Sequence, residues 1–186
     1  MTGLFTGLAA ALLVVLTQTP PPPTPPCFSP DAQISDFETR WFCGQLAAAG
    51  KGRLEGTTAY RLVYLPSFRP AKIIEIRQER SGWMLQTTIL SGIGGGPPGD
   101  IRERRQRWLT PDEVIDLEGT VKRSKVWLQD VRVQPNVVDG STLLVEAVQP
   151  GSYRLHVLSG LTGRAHPLAE LGQRLLAMGG IDDPEG

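Results

Sequence analysis

The chain has 186 residues, with 19 Lys and Arg balanced by 19 Asp and Glu. That zero net charge argues against nucleic acid as a partner, because neutralising phosphates takes a basic excess. Apolar residues make up 40% of the chain and include four tryptophans. Behind a biased N-terminus, about 160 residues remain, the size of one ordinary domain.

Met1 to Pro30 carry no charged side chain; Asp31 is the first. The apolar core from Gly3 to Leu16 fits a secretory signal, whose core runs roughly 7 to 15 residues, and falls short of the roughly 20 needed to span a bilayer. No Lys or Arg precedes Leu8, and the small residues Thr17-Gln18-Thr19 abut Pro20. Residues 1–19 therefore read as a signal peptide, with an uncleaved membrane anchor formed by residues 3–16 as the alternative. Pro20-Pro21-Pro22-Pro23-Thr24-Pro25-Pro26 favours extended polyproline II, so residues 20–30 read as a semi-rigid spacer. No Arg or Lys flanks it to orient a proline-recognising partner. The domain proper is 31–180, and 181–186 is an acidic tail.

Export makes the protein periplasmic or secreted, and in that setting the two cysteines, Cys27 and Cys43, read as a disulfide. It would tie the end of the spacer to the first helix. Cys43 matches no nucleophile signature, and the absence of CxxC or HxxxH spacing argues against a metal site.

Ser35-Asp36-Phe37-Glu38 is a capping box opening a helix with Phe37, Trp41, Phe42 and Leu46 at helical spacing, ended by Gly50. Lys51 to Thr58 reads as a turn-rich loop, and Tyr60 to Leu65 as a strand stopped by Pro66. A hairpin follows, Lys72–Glu79 and Trp83–Leu90, around Arg80-Ser81-Gly82. Ser91 to Gly99 is Gly- and Pro-rich. It lacks the Lys of a phosphate loop and leads into a strand, so it reads as a flexible hairpin loop. Ile101 to Leu109 is a solvent-facing strand with Arg102 and Arg104 on one face and Arg105 and Arg107 on the other.

Thr110-Pro111-Asp112-Glu113 opens a second helix, capped by Thr110 with Pro at the first helical position. Lys125 to Leu128 reads as a short strand or extended run. Leu143–Val148 and Tyr153–Leu158 form a hairpin around Pro150-Gly151, a type II turn pair. A last helix starts near Pro167 and stops at Gly179-Gly180. Strands joined by short turns pair antiparallel. The fold class is α+β: an antiparallel sheet of about 5–7 strands with three helices packed on one face of it.

Four residues stand out as candidates for binding: Glu146, a carboxylate inside the apolar run Leu143 to Val148; His156; and Arg105 and Arg107 in the arginine-rich strand. If Val148 opposes Tyr153, Glu146 opposes Leu155, and His156 points the other way. Neither His156 nor His166 accompanies a GxSxG elbow or an HExxH pair. No catalytic residue, cofactor or metal site is assigned. An anion is the first ligand expected at the arginines.

Tyr60-Arg61-Leu62, Gly82-Trp83, Gly94-Gly95, Leu109-Thr110, Asp139-Gly140, Glu146 and Gly151-Ser152-Tyr153, together with the Leu-rich last helix, resemble the layout of an uncharacterised family of small exported bacterial proteins. In that family a Trp stands in place of Leu143 and a His in place of Arg154. The resemblance covers about residues 60–180 and implies location and fold, with no activity attached. The leading expectation is an exported, non-enzymatic envelope domain that binds a protein or small anionic ligand. Membrane contact would come only through an uncleaved N-terminal segment. The alternatives are an envelope hydrolase or transferase with an unrecognised site, and a structural accessory subunit.

Overall fold

Both expected capping boxes form in the structure, a computed structural model that describes residues 27–30, 32, 34–128, 132–133, 140–159 and 166–181. The signal or anchor segment, most of the proline spacer and the tail beyond Ile181 lie outside the described residues. Ser35 and Glu38 cap α1 (Asp36–Ala48), and Thr110 and Glu113 cap α2 (Pro111–Ser124). In each, two N–H groups that the first helical turn leaves unsatisfied find side-chain acceptors. The last helix, α3 (Pro167–Met178), is capped by His166, whose Nδ1 accepts from the Leu168 N–H at 3.2 Å.

The strands are β1 (Ala59–Pro66), β2 (Pro70–Glu79), β3 (Gly82–Ile93), β4 (Ile101–Trp108), β5 (Arg132–Val133), β6 (Ser141–Gln149) and β7 (Ser152–Ser159). They form one sheet in the order β4-β3-β2-β1-β6-β7-β5. Six of them pair antiparallel, and the two-residue β5 adds in parallel to β7. The hairpin around Pro150-Gly151 holds the anticipated register, Val148 opposite Tyr153 and Glu146 opposite Leu155. Gly151 sits at φ 73°, which a type II turn requires and glycine adopts without strain.

Every residue of the central strand β1 is buried, so both faces of the sheet are covered. On one face Leu62, Ile74 and Val145 pack with Leu117 and Val121 of α2 and Leu171 and Leu175 of α3. A Cβ at Gly172 would lie 2.8 Å from a Leu143 methyl, so glycine there lets α3 seat closely. On the other face Val63, Ile73 and Leu144 pack with Phe42 and Leu46 of α1. Three helices on a single face would have left the second set of apolar side chains in water. The sheet is instead sandwiched, with α2 and α3 on one side and α1 on the other.

Residues 125–128 are a turn, not the extended run their composition suggested. Lys125 caps α2 in the left-handed conformation (φ 53°), and the Leu128 N–H donates to the Lys125 carbonyl at 2.9 Å. The reversal drops Val126 into the core and sets Trp127 beside Tyr60, with ring centroids 6.3 Å apart. The Gly-rich loop is also more tied down than its composition implied. Trp41 Nε1 of α1 donates to the Gly94 carbonyl at 2.9 Å, and Gln45 Nε2 donates to that of Gly96 at 3.2 Å.

Cys27 and Cys43 are joined, with Cα atoms 5.6 Å apart, and the bridge seals the α1 side of the core beside Phe28 and Phe42. The cross-link closes a loop over a sequence separation of 16 residues. Such a loop restricts the unfolded chain by about 3 kcal/mol. Replacing both cysteines with serine should therefore lower unfolding stability in urea by about that amount. Alkylation of the denatured, unreduced protein should label neither thiol; labelling of both would contradict the bridge.

Candidate functional site

The α1-facing side of the sheet carries a row of polar side chains across its middle. Arg61 of β1 lies directly opposite Glu75 of β2 on one side and Glu146 of β6 on the other. Glu75 in turn lies opposite Gln86 of β3. Because side chains alternate along a strand, registry alone brings these groups together. Arg61 Nε donates to Glu75 at 3.0 Å and a terminal nitrogen donates to Glu146 at 2.9 Å. Tyr153, a diagonal neighbour on β7, donates its hydroxyl to the other Glu146 oxygen at 2.9 Å. Arg61, Glu75 and Glu146 are all essentially inaccessible to solvent. A buried charge costs several kcal/mol unless paired and hydrogen-bonded, and here each has partners.

Glu75 is the more crowded carboxylate. Besides Arg61 it meets Lys51, 3.3 Å away, and Arg77, 2.5 Å away. Lys51 also donates to Gln86. Burial alone would raise the Glu75 carboxyl, but Arg61, Lys51 and Arg77 together hold it below its ordinary 4.5. Glu146, deeper and with a single cation, goes the other way: burial pushes it up against the opposing pull of Arg61 and Tyr153. Burial also lowers the Lys51 ammonium despite Glu75, and raises the Tyr153 phenol.

Above Glu75 the row opens into a cavity of about 350 Å³, roofed by the loop that follows α1. Five cations line it, Lys51, Arg53, Arg61, Arg77 and Arg104, against two carboxylates, Glu55 and Glu75. Arg104 reaches in from β4 and donates to the Ala49 carbonyl at the end of α1. Arg53 donates to the Ser29 hydroxyl at 3.3 Å. Glu75 is shared by three cations, one of which, Arg61, also pairs with Glu146, so the lining holds more cations than carboxylates. Guanidinium and ammonium groups converging from four segments suit a carboxylate or phosphate oxygen.

The four residues singled out from sequence fall in three places. Glu146 anchors the buried row. His156 lies on the opposite face, as Val145 rather than Glu146 is its partner in register. Its Nε2–H donates to the Val126 carbonyl at 2.9 Å and holds the turn after α2. Arg105 and Arg107 also lie on that opposite face, beside a second cavity of about 500 Å³ lined with Leu85, Thr87 and Met178. Arg107 is committed to Glu113 through two hydrogen bonds, 2.7 and 2.8 Å, which hold that carboxyl down at about 2. Glu146 and His156 therefore do not form an acid–base pair.

Sequence reasoning passed over Lys51, Arg53, Arg61, Glu75, Arg77 and Arg104 as a group. One signal was available: Arg61, Glu75 and Glu146 each interrupt an apolar strand, with opposite signs on strands that pair.

Among the described residues no three His, Cys, Asp or Glu side chains group to hold a metal ion. No described helix is long and apolar enough to cross a membrane. The chain matches no protein-family model and no curated protein.

Removing one partner of a buried charge network leaves another uncompensated. Arg61→Met should therefore destabilise the protein by about 3–5 kcal/mol, and Tyr153→Phe by about 2 kcal/mol. A loss under about 1 kcal/mol for Arg61→Met would contradict the assignment. The two carboxylates have opposite pH signatures. Glu75, depressed in the fold, contributes stability that is fully present above 4.5 and lost as pH falls through its folded value. Glu146, raised in the fold, contributes stability present below 4.5 and lost as pH rises through its folded value. In urea titrations across pH, Glu75→Gln should flatten the acid limb, and Glu146→Gln should remove the decline on its high side.

Proposed function

We propose that the chain is an exported, non-enzymatic domain of the bacterial envelope that binds a small anionic ligand in the cavity above Glu75. The observation that carries the anion reading is the lining itself: five cationic side chains against two carboxylates in one concave site. Several of those cations are held from beneath by a buried carboxylate, so little conformational freedom remains to be lost on binding. The cavity is large enough for a di- or tricarboxylate or a phosphate ester, but small for a folded partner.

Export rests on other features. The charge-free N-terminal segment has the length of a signal core. A disulfide joins Cys27 to Cys43, as suits an oxidising compartment. The resemblance to small exported bacterial proteins points the same way. The non-catalytic reading draws on the separation of Glu146 from His156 onto opposite faces.

Citrate and inorganic phosphate are suitable probes, added at constant ionic strength against chloride. Each should raise the melting temperature in a saturable way. Arg77 is half exposed at the cavity rim. Losing one charge-assisted hydrogen bond there, about 1.5 kcal/mol, predicts roughly tenfold weaker binding for Arg77→Ala. No saturable response to either anion, or turnover in esterase, phosphatase or peptidase screens, would overturn the proposal.

A further inference from the structure

The open edge of the sheet carries a second, independent opportunity for recognition. β4 is the terminal strand, bonded on one side to β3, and among the described residues no strand pairs with its outer side. All eight of its residues are exposed. The Leu109 N–H donates to the Trp83 carbonyl at 2.8 Å, which sets the phase of the ladder. In an antiparallel pair the backbone groups of alternate residues point toward and away from the partner. Those of Arg105 and Arg107 therefore face β3, and those of Arg104, Gln106 and Trp108 face outward.

The side chains around this edge are strongly biased. Arg105 and Arg107 lie opposite Thr87 and Leu85 and share the face of α3, whereas Arg104, opposite Thr88, lies on the face of α1. Arg102 adds a fourth guanidinium, and Glu103 is the single acidic residue of the strand. A second copy of β4 laid against the first would bring two arginine rows together, so self-pairing is repelled. Arg107 is engaged by Glu113, Trp108 and Met178, and Arg104 by Ala49, whereas Arg105 pairs with Glu103 at the surface, both about half exposed. An acidic strand would meet outward N–H and C=O groups to complete its ladder, and the exposed guanidinium groups of Arg102 and Arg105 for its carboxylates.

We propose that β4 docks an extended acidic segment of a partner protein by strand addition, with Arg104, Gln106 and the Trp108 N–H supplying the backbone bonds and Arg102 and Arg105 the selectivity.

The test uses the full mature protein, labelled with ¹⁵N, and an acetylated peptide of three Glu-Glu-Thr repeats. That peptide should bind at least about tenfold more tightly than its Lys-Lys-Thr counterpart, the equivalent of about 1.4 kcal/mol. The amides of Arg104, Gln106 and Trp108 should gain protection from hydrogen exchange, with no such gain at Arg105 and Arg107, which are already bonded. A fully N-methylated Glu-Glu-Thr peptide keeps its charge but cannot donate to a ladder, and it should lose most of this affinity. Arg102→Glu combined with Arg105→Glu should reverse the preference toward the lysine peptide. Equal binding of the methylated and unmethylated peptides would overturn strand addition in favour of charge attraction alone. Protection appearing at residues 50–55 instead of β4 would assign the acidic peptide to the cavity and overturn the proposal.

Discussion

A guanidinium buried between two carboxylates organises this molecule. Arg61 lies on the central strand and bonds sideways to Glu75 on β2 and Glu146 on β6. Such a cluster is a poor source of net stability, since well-packed apolar residues of similar volume often do as well or better. Its effect is on registry. A slip of one residue between β1 and either neighbour would send Arg61 and its partner to opposite faces and leave buried charges unpaired. The apolar residues around it, Leu62, Val63, Ile73, Ile74, Leu144 and Val145, tolerate alternative pairings far more easily. The row thus specifies how the two halves of the sheet, β1–β4 and β6–β7, join through a long connection.

The same row creates the site. Glu146 is enclosed beneath Tyr153, whereas Glu75 sits where the sheet meets the loop after α1 and gathers Lys51 and Arg77 in addition to Arg61. Arg61, Lys51 and Arg77 share two buried carboxylates, Glu75 and Glu146, and Arg53 and Arg104 add two further cations to the lining. Structural pairing and the proposed recognition of an anion are therefore two sides of one electrostatic arrangement. The core-facing side satisfies the buried charges, and the same cations form the lining of the cavity. Arg61, Arg77 and Arg104 stand on strands, which makes those donors rigid.

Local chemistry was the most legible part of the sequence. The capping boxes at Ser35 and Thr110, the Pro150-Gly151 turn and the stop at Gly179-Gly180 each depend on a few adjacent residues, and each formed where expected. Lys125 to Leu128 misled because Val126 and Trp127 suit a strand as well as a turn buried against a core. What decides is the left-handed cap at Lys125, a conformation uncommon outside glycine and asparagine. The two-residue β5 left no periodicity to detect. The sandwiching of the sheet was not legible in Tyr60 to Leu65, which alternates weakly with Arg61 among its apolar residues; the continuous burial of β1 shows cover on both faces. The site was the least legible. Glu146 stood out as a lone charge in an apolar strand, yet its meaning depended on Arg61, 85 residues away in the chain, and on a register that no local pattern specifies.

The direct test of this arrangement is the state of the Arg61 side chain in solution. In ¹⁵N spectra of the arginine side chains, a guanidinium held between two buried carboxylates should show an Nε–H signal that exchanges with water far more slowly than those of Arg102 or Arg105. That signal should shift when Glu75 is changed to Gln. An Arg61 Nε–H that exchanges as fast as the exposed arginines, or that is indifferent to Glu75, would contradict the buried row and the site built on it.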